Sequence, residues 1–258
     1  MLATISGVVI GMVLGLIGGG GSIFAVPLLI YVVRVPSVHV AIGTSAMAVA
    51  VNAAFNLTLH AHEGTVKWRC ASLFAATGIV GAWVGSSLGK ALGGQELLGL
   101  FGALMIVIGG LMLRRPTHAA RPDVHLDADS VAYLGPRLVS LGLLTGGVSG
   151  FFGIGGGFLI VPSLMLATDM PMIAAIGSSL VAVTAFGVTT AVNYTTSGLV
   201  NWPIAMLFVA GGMLGGVAGT KLSVKWSTRR RALSVLFSVV VMVVGTYMVL
   251  RSIHDIRG

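Results

Sequence analysis

Long apolar runs, separated by short polar breaks, fill almost the whole chain. No Asp, Glu, Lys or Arg precedes Arg34, none lies between Arg34 and Glu63 or between Arg137 and Asp169, and the widest gap runs from Asp169 to Lys221. A membrane-crossing helix needs about 20 mostly apolar residues, so gaps of this size predict spans. The runs are continuous rather than alternating, which argues against the strands of an outer-membrane barrel. Helices are predicted over 2–33, 39–60, 70–90 and 96–113, then over 137–168, 172–195, 203–222 and 232–250. The 17-residue run from Leu97 to Leu113 suffices because residues at its ends can snorkel.

The first run of each set is too long for one crossing. Glycines interrupt it at residues 18–21 and again at 153–157. After the first cluster about 12 residues remain before Arg34, or about 18 Å of helix at 1.5 Å per residue. A hydrocarbon core is about 30 Å thick. Two readings stay open: one tilted helix with a glycine kink, or a hairpin that dips in and returns. Single crossings would divide the lysines and arginines eight to seven between the two faces. Hairpins would place Lys67, Arg69, Arg114, Arg115, Arg121, Arg137, Lys221, Lys225, Arg229, Arg230 and Arg231 on one face. Only Arg34, Lys90, Arg251 and Arg257 would face the other way. The positive-inside rule prefers this eleven-to-four division, with the basic loops in the cytoplasm and the two sets in opposite orientation.

The sets are one unit written twice. A shift of 135 lays Gly15, Gly18, Gly20, Gly21, Val26 and Pro27 on Gly150, Gly153, Gly155, Gly156, Val161 and Pro162. After a one-residue gap, Ile42, Gly43, Ser45, Gly64 and Trp68 fall on Ile176, Gly177, Ser179, Gly198 and Trp202. Residues 1–114 and 137–258 are read as homologous repeats, joined by a polar linker over 115–136 that holds Pro116, Pro122, Asp123, Asp127 and Asp129. The expected fold is an all-α polytopic membrane protein built as two inverted repeats. Each repeat has a glycine-broken first segment followed by three transmembrane helices.

Composition closes off other classes. Of 258 residues, 56% are hydrophobic and 9% charged, with a mean hydropathy of +1.01, against about 25% charged in soluble domains. Disorder needs the opposite balance. The net charge of +8 does not point to nucleic acid, because the basic residues sit at the ends of apolar runs as flank anchors. Trp68 and Trp202 fit the same interfacial role. A lone Cys70 allows no intramolecular disulfide and no Cys-x-x-Cys pair. The lack of Lys or Arg before the first apolar run argues against a cleaved leader. No cofactor and no metal ligand set is expected.

Inverted repeats with glycine-broken segments at matching places point to a transporter's binding site. The breaks free backbone N–H groups from Ser22 and Phe158 onward, and such half-helix starts attract anions without a lysine. The alternative is close helix packing, which is the reading for Gly7, Gly11 and Gly15, for Gly142, Gly146 and Gly150, and for Gly81, Gly85 and Gly89. The candidate substrate-binding residues are Gly20, Gly21, Ser22, Thr44, Ser45, Gly155, Gly156, Gly157, Ser178 and Ser179. The hydroxyls either donate to an anion or bond back to their own helix. Asn52, Asn56 and Asn193 either pair between helices or meet ligand, since a bare amide in an apolar run is costly. His39 and His60 sit near span ends and could relay protons. The glycine clusters match neither a P-loop nor a dinucleotide fingerprint. Every carboxylate lies in a loop or at a span end, so no catalytic constellation is visible and transport outranks catalysis. A channel and a non-transport membrane scaffold remain as alternatives. The expected partners are a small anionic substrate and the lipid bilayer; a homo-oligomer is left open.

The run from Gly15 through Ser22 to Val26 and Pro27 has an echo from Gly150 to Val161 and Pro162. With the Ile-Gly-Thr-Ser stretch at residues 42–45 and the Ile-Gly-Ser-Ser stretch at 176–179, it resembles the sulfite exporter TauE/SafE family. The resemblance covers nearly the whole chain. It implies a multi-pass carrier of the bacterial inner membrane for sulfur-containing anions such as sulfite or organosulfonates.

Overall fold

A computed structural model describes residues 2–17, 19–114, 128–225 and 230–257. Among these residues, ten α-helices lie in the order α1 (Leu2–Ile17), α2 (Ala25–Pro27), α3 (Val38–His62), α4 (Trp68–Ala91), α5 (Gly94–Arg114), α6 (Ala128–Phe152), α7 (Gly157–Thr168), α8 (Met172–Thr195), α9 (Trp202–Lys225) and α10 (Arg230–Arg257). No strand occurs among the described residues. Among the described residues, five helices are long and apolar enough to cross a membrane: α3, α4 and α8, together with Gly94–Leu111 of α5 and Trp202–Gly219 of α9. Met206, Leu214 and Leu250 are 64–70% exposed. Apolar side chains this bare are at home against lipid rather than water.

Both first runs are broken. After α1 the chain winds through a 3-10 turn, Gly19–Phe24, then α2, then a π turn, Leu28–Val32. A Cβ on Gly21 would lie 2.6 Å from the Leu14 backbone nitrogen. Residues seven apart in a continuous helix are separated by about 10 Å along the axis, so the chain turns back on itself here. In the second half Gly153, Gly155 and Gly156 adopt φ of +64°, +63° and +65°, a region that glycine enters without steric penalty. That turn ends α6 and starts α7. The single tilted helix is therefore not what forms. Helix α6 starts at Ala128, inside the segment read as linker; residues 115–127 lie outside the described residues.

The matching sequence stops produce matching helix ends. Gly64 and Gly198 follow α3 and α8 with φ of +67° and +69°, the left-handed step that ends many helices. Arg34 and Asp169, also one repeat apart, are the two non-glycine residues described with positive φ, at +61° and +55°.

Packing pairs elements across the halves. Positions on α1 meet positions on α9 in rising order: Gly7 faces the carbonyl of Phe208, Gly11 that of Gly212, and Gly219 that of Met12. The two helices are therefore parallel. So are α4 and α6, where Gly146 faces the Gly78 carbonyl, Gly150 that of Ala82, and Gly89 that of Phe151. Helices α3 and α8 run antiparallel, with Gly43 against Tyr194 and Gly187 against Ala50. Helices α5 and α10 also run antiparallel, with Gly99 against Ser252 and Gly109 against Met242. Many of these approaches would put a Cβ within about 2.0–2.5 Å of a carbonyl oxygen, closer than any side chain tolerates. Close packing is thus the role of Gly7, Gly11, Gly81, Gly85, Gly89, Gly142, Gly146 and Gly150.

Candidate functional site at the glycine breaks

The second break sits at the crossing of α3 and α8. A Cβ on Gly155 would lie 2.8 Å from Val49 Cγ1 of α3 and 3.3 Å from Val183 Cγ1 of α8. Val49 and Val183 are themselves one repeat apart, and both are fully buried. Gly156 is the N-cap of α7, and its carbonyl accepts from the Leu159 and Ile160 N–H groups at 2.9 and 3.0 Å. Gly157 opens the helix. The first N–H groups of α7, which have no partner within the helix, therefore emerge at this central crossing. Pro162 lies within α7, and Pro27 closes α2 in the other half.

The first break is built differently. Gly20, Gly21 and Ser22 belong to the 3-10 turn, and Gly21 packs against Ile10 and Leu14 of its own hairpin. Ser22 is fully buried. The two breaks contact each other where α7 meets the Gly19–Phe24 turn.

The hydroxyls divide into two kinds. Ser45 Oγ donates to the Ile42 carbonyl at 2.8 Å and reaches the Gly153 carbonyl at 3.0 Å. Ser179 Oγ donates to the Ile176 carbonyl at 2.7 Å. Both follow the back-bonding alternative, and Ser45 also ties α3 to the second break. Thr44 Oγ1 instead accepts from the Asn201 N–H at 3.0 Å, and Ser178 Oγ from the Lys67 N–H at 2.9 Å. Each anchors the start of a long helix of the other half. Thr44 stands level with the end of α8 and Ser178 near its beginning, about 20 Å apart at 1.5 Å per residue. One small anion does not reach both.

The amides also resolve. Asn193 is an interhelical knot: its Nδ2 donates to Ser86 Oγ at 2.7 Å, Ser87 Oγ at 2.9 Å and the Trp83 carbonyl at 3.2 Å. Its Oδ1 accepts from Lys90 Nζ, which also reaches Ser197 Oγ at 2.9 Å. Asn56 Nδ2 donates to the Asn52 carbonyl at 2.8 Å. The Asn52 side chain, 1% exposed at the middle of α3, has no partner at either Nδ2 or Oδ1. Asn56 Oδ1, Ser149 Oγ and Thr190 Oγ1 are likewise buried without partners. Buried polar atoms are rarely left so, which makes Asn52 a functional candidate that the glycine motifs alone do not single out. Its signal in the sequence was the amide within an apolar run. His60 Nδ1 lies 3.2 Å from Thr65 Oγ1 in the loop after α3, a local closure. Among the described residues no cluster of His, Cys, Asp or Glu could hold a metal.

These features define a multi-pass helical membrane protein with interrupted helices at its centre. A family model described as sulfite exporter TauE/SafE matches residues 3–248, and the chain belongs to that family of membrane transporters. A "Probable membrane transporter protein" of Xylella fastidiosa is 52% identical over 247 residues, covering 96% of this chain and 94% of the relative. The "Probable membrane transporter protein YunE" of Bacillus subtilis is 27% identical over 272 residues, 99% of both chains. One from Methanocaldococcus jannaschii is 26% identical over 265 residues, covering 96% and 95%. No solved structure matches the chain.

Proposed function

We propose that the protein is a carrier that moves a small sulfur-containing oxyanion, sulfite or an organosulfonate, across the cytoplasmic membrane. The observation that supports this most is the emergence of the α7 N-terminus at the α3–α8 crossing, beside three left-handed glycines. N–H groups in such a place bind a negative group by dipole and hydrogen bond, and glycine lets the ligand approach the backbone. The family description supplies the sulfur chemistry.

In this reading the groups that hold the anion are those of Gly155, Gly156 and Gly157, with Gly20, Gly21 and Ser22 opposite them. Thr44, Ser45, Ser178 and Ser179 brace the helices around them. The repeats 1–114 and 137–258 are inverted. The antiparallel pairs α3–α8 and α5–α10 support this, as do the cross-pairs α1–α9 and α4–α6. Because α1 packs on α9 and α4 on α6, any moving unit combines elements of both halves, and no lysine or arginine at mid-depth competes with release.

The test is sulfite flux into proteoliposomes. Saturable flux is expected for the natural chain, with at least a tenfold loss in Gly157→Ala at an unchanged unfolding midpoint. Linear flux driven by membrane potential would indicate a channel, and no flux of sulfite or methanesulfonate would defeat the reading.

A further inference from the structure

A second polar feature lies far from the glycine breaks, at the end of the bundle where the π turn, the start of α5 and the end of α10 meet. It is a cavity of about 440 Å³ lined by Tyr31, Arg34, Val38, Gln95, Leu98 and Arg251, among others. Among the described residues, the charged side chains lining it are Arg34 and Arg251. Arg251 is positioned by aromatic neighbours: its guanidinium lies 5.2 Å from the Tyr31 ring centroid, and its Nη1 donates to Tyr247 Oη at 3.1 Å. The two tyrosine rings meet edge to face at 5.3 Å. Ser252 Oγ donates to the Gln95 carbonyl at 2.7 Å, which joins α10 to the start of α5 under the cavity.

Arg34 stands where the backbone does not favour it. Its φ of +61° belongs to a region preferred by Gly, Asn and Asp. The equivalent place in the second half holds Asp169 at +55°, so the fold requires the conformation and the charge is a separate choice. A strained residue of the less suitable type, aimed at a cavity, points to function. Two guanidinium groups present forked donors suited to oxyanions. Leu98 and Val38 offer an apolar wall beside them.

We propose that this cavity binds a small oxyanion carrying a short apolar body, with the charged head between Arg34 and Arg251 and the body against Leu98 and Val38. As a capture site at one mouth of the bundle it rests on the carrier reading for its role, but binding there stands without transport. The same chemistry would accept a free alkanesulfonate or the phosphate of a lipid headgroup.

The experiment measures butanesulfonate binding to the purified full-length protein by calorimetry, in detergent and then in phosphatidylcholine nanodiscs with and without phosphatidylglycerol. Arg34→Asn and Arg251→Gln are each expected to weaken binding at least tenfold. Arg34→Asn relieves the backbone, so its loss cannot be put down to misfolding. Both variants should raise the KM for butanesulfonate flux at least fivefold and keep the maximal rate within twofold. Competition by phosphatidylglycerol that both variants abolish would identify a lipid headgroup as the occupant; indifference to it would identify the free anion. Either outcome supports the site. Binding within twofold of the natural chain in both variants would overturn it, whatever the flux. Absence of flux in the natural chain, with binding that still depends on Arg34, would overturn the carrier reading and leave the cavity standing.

Discussion

At the scale of single residues, glycine does two jobs that composition cannot separate. Gly11 lies where a Cβ would come 2.0 Å from the Gly212 carbonyl oxygen, whereas Gly110 has nothing within 4 Å. Gly11→Ala should therefore cost about 1–3 kcal/mol through overpacking, read as a lower unfolding midpoint in detergent. Gly110→Ala should be neutral or stabilising, by up to about 1 kcal/mol of helix propensity. The asparagines divide in the same manner. Asn193→Leu removes the partner of Ser86, Ser87 and Lys90 and should cost about 1–2 kcal/mol. Asn52→Leu removes an amide that has no partner, so it should leave the midpoint unchanged or raised while reducing sulfite flux. The four-residue spacing of Gly7 and Gly11 made their packing role legible in advance. Which asparagine found a partner was not legible, because that depends on which helix of the other half arrives beside it.

At the scale of elements, hydropathy was a good guide to the spans and a poor guide to what joins them. The run read as 172–195 is α8 to the residue, and 39–60 falls within α3. These helices are bounded by stop signals that a sequence displays, notably Gly64 and Gly198. The glycines at 18–21 and Pro27 marked the segment from Gly19 to Val32 as broken, but not that it would wind as a 3-10 turn and then a π turn. The Thr44 and Ser178 hydroxyls were visible as a matched pair, but as acceptors for the starts of α9 and α4 they belong to a tertiary joint. Thr44→Val and Ser178→Ala should each cost about 1 kcal/mol, as lost helix caps do. Thermal unfolding followed by size-exclusion chromatography checks this. Retained sulfite flux in both would confirm that these two hydroxyls brace the helices and leave the anion to the backbone.

At the scale of the whole molecule, the orientation of the halves is open to a direct test. His62 and Thr196 occupy the same place in the two repeats, and both are exposed. In a Cys70→Ala background, His62→Cys and Thr196→Cys should react with a membrane-impermeant maleimide from opposite faces of intact cells and inverted vesicles. Labelling of both from one face would mean that the halves are parallel. The background is mild, because Cys70 is a small buried side chain. The charge asymmetry of the loops predicts opposite faces for the two sites, since each polar break reports its own side. The arginine cavity escaped the same reading, because Arg34 and Arg251 are 217 positions apart in sequence and each alone is indistinguishable from a membrane-flank anchor.

The cross-pairing of α1 with α9 also imposes an order in time. The close-packed partner of α1 is encoded some 185 residues after α1 ends, counted from Ile17 to Trp202. At a synthesis rate of about 5–20 residues per second, the glycine-lined face of α1 waits on the order of ten to forty seconds before α9 exists to cover it. During that interval the nascent chain resides in the bilayer with a flat, small-residue surface open to any passing helix. Biogenesis of this protein is therefore a race between its own last third and the neighbours it meets while incomplete.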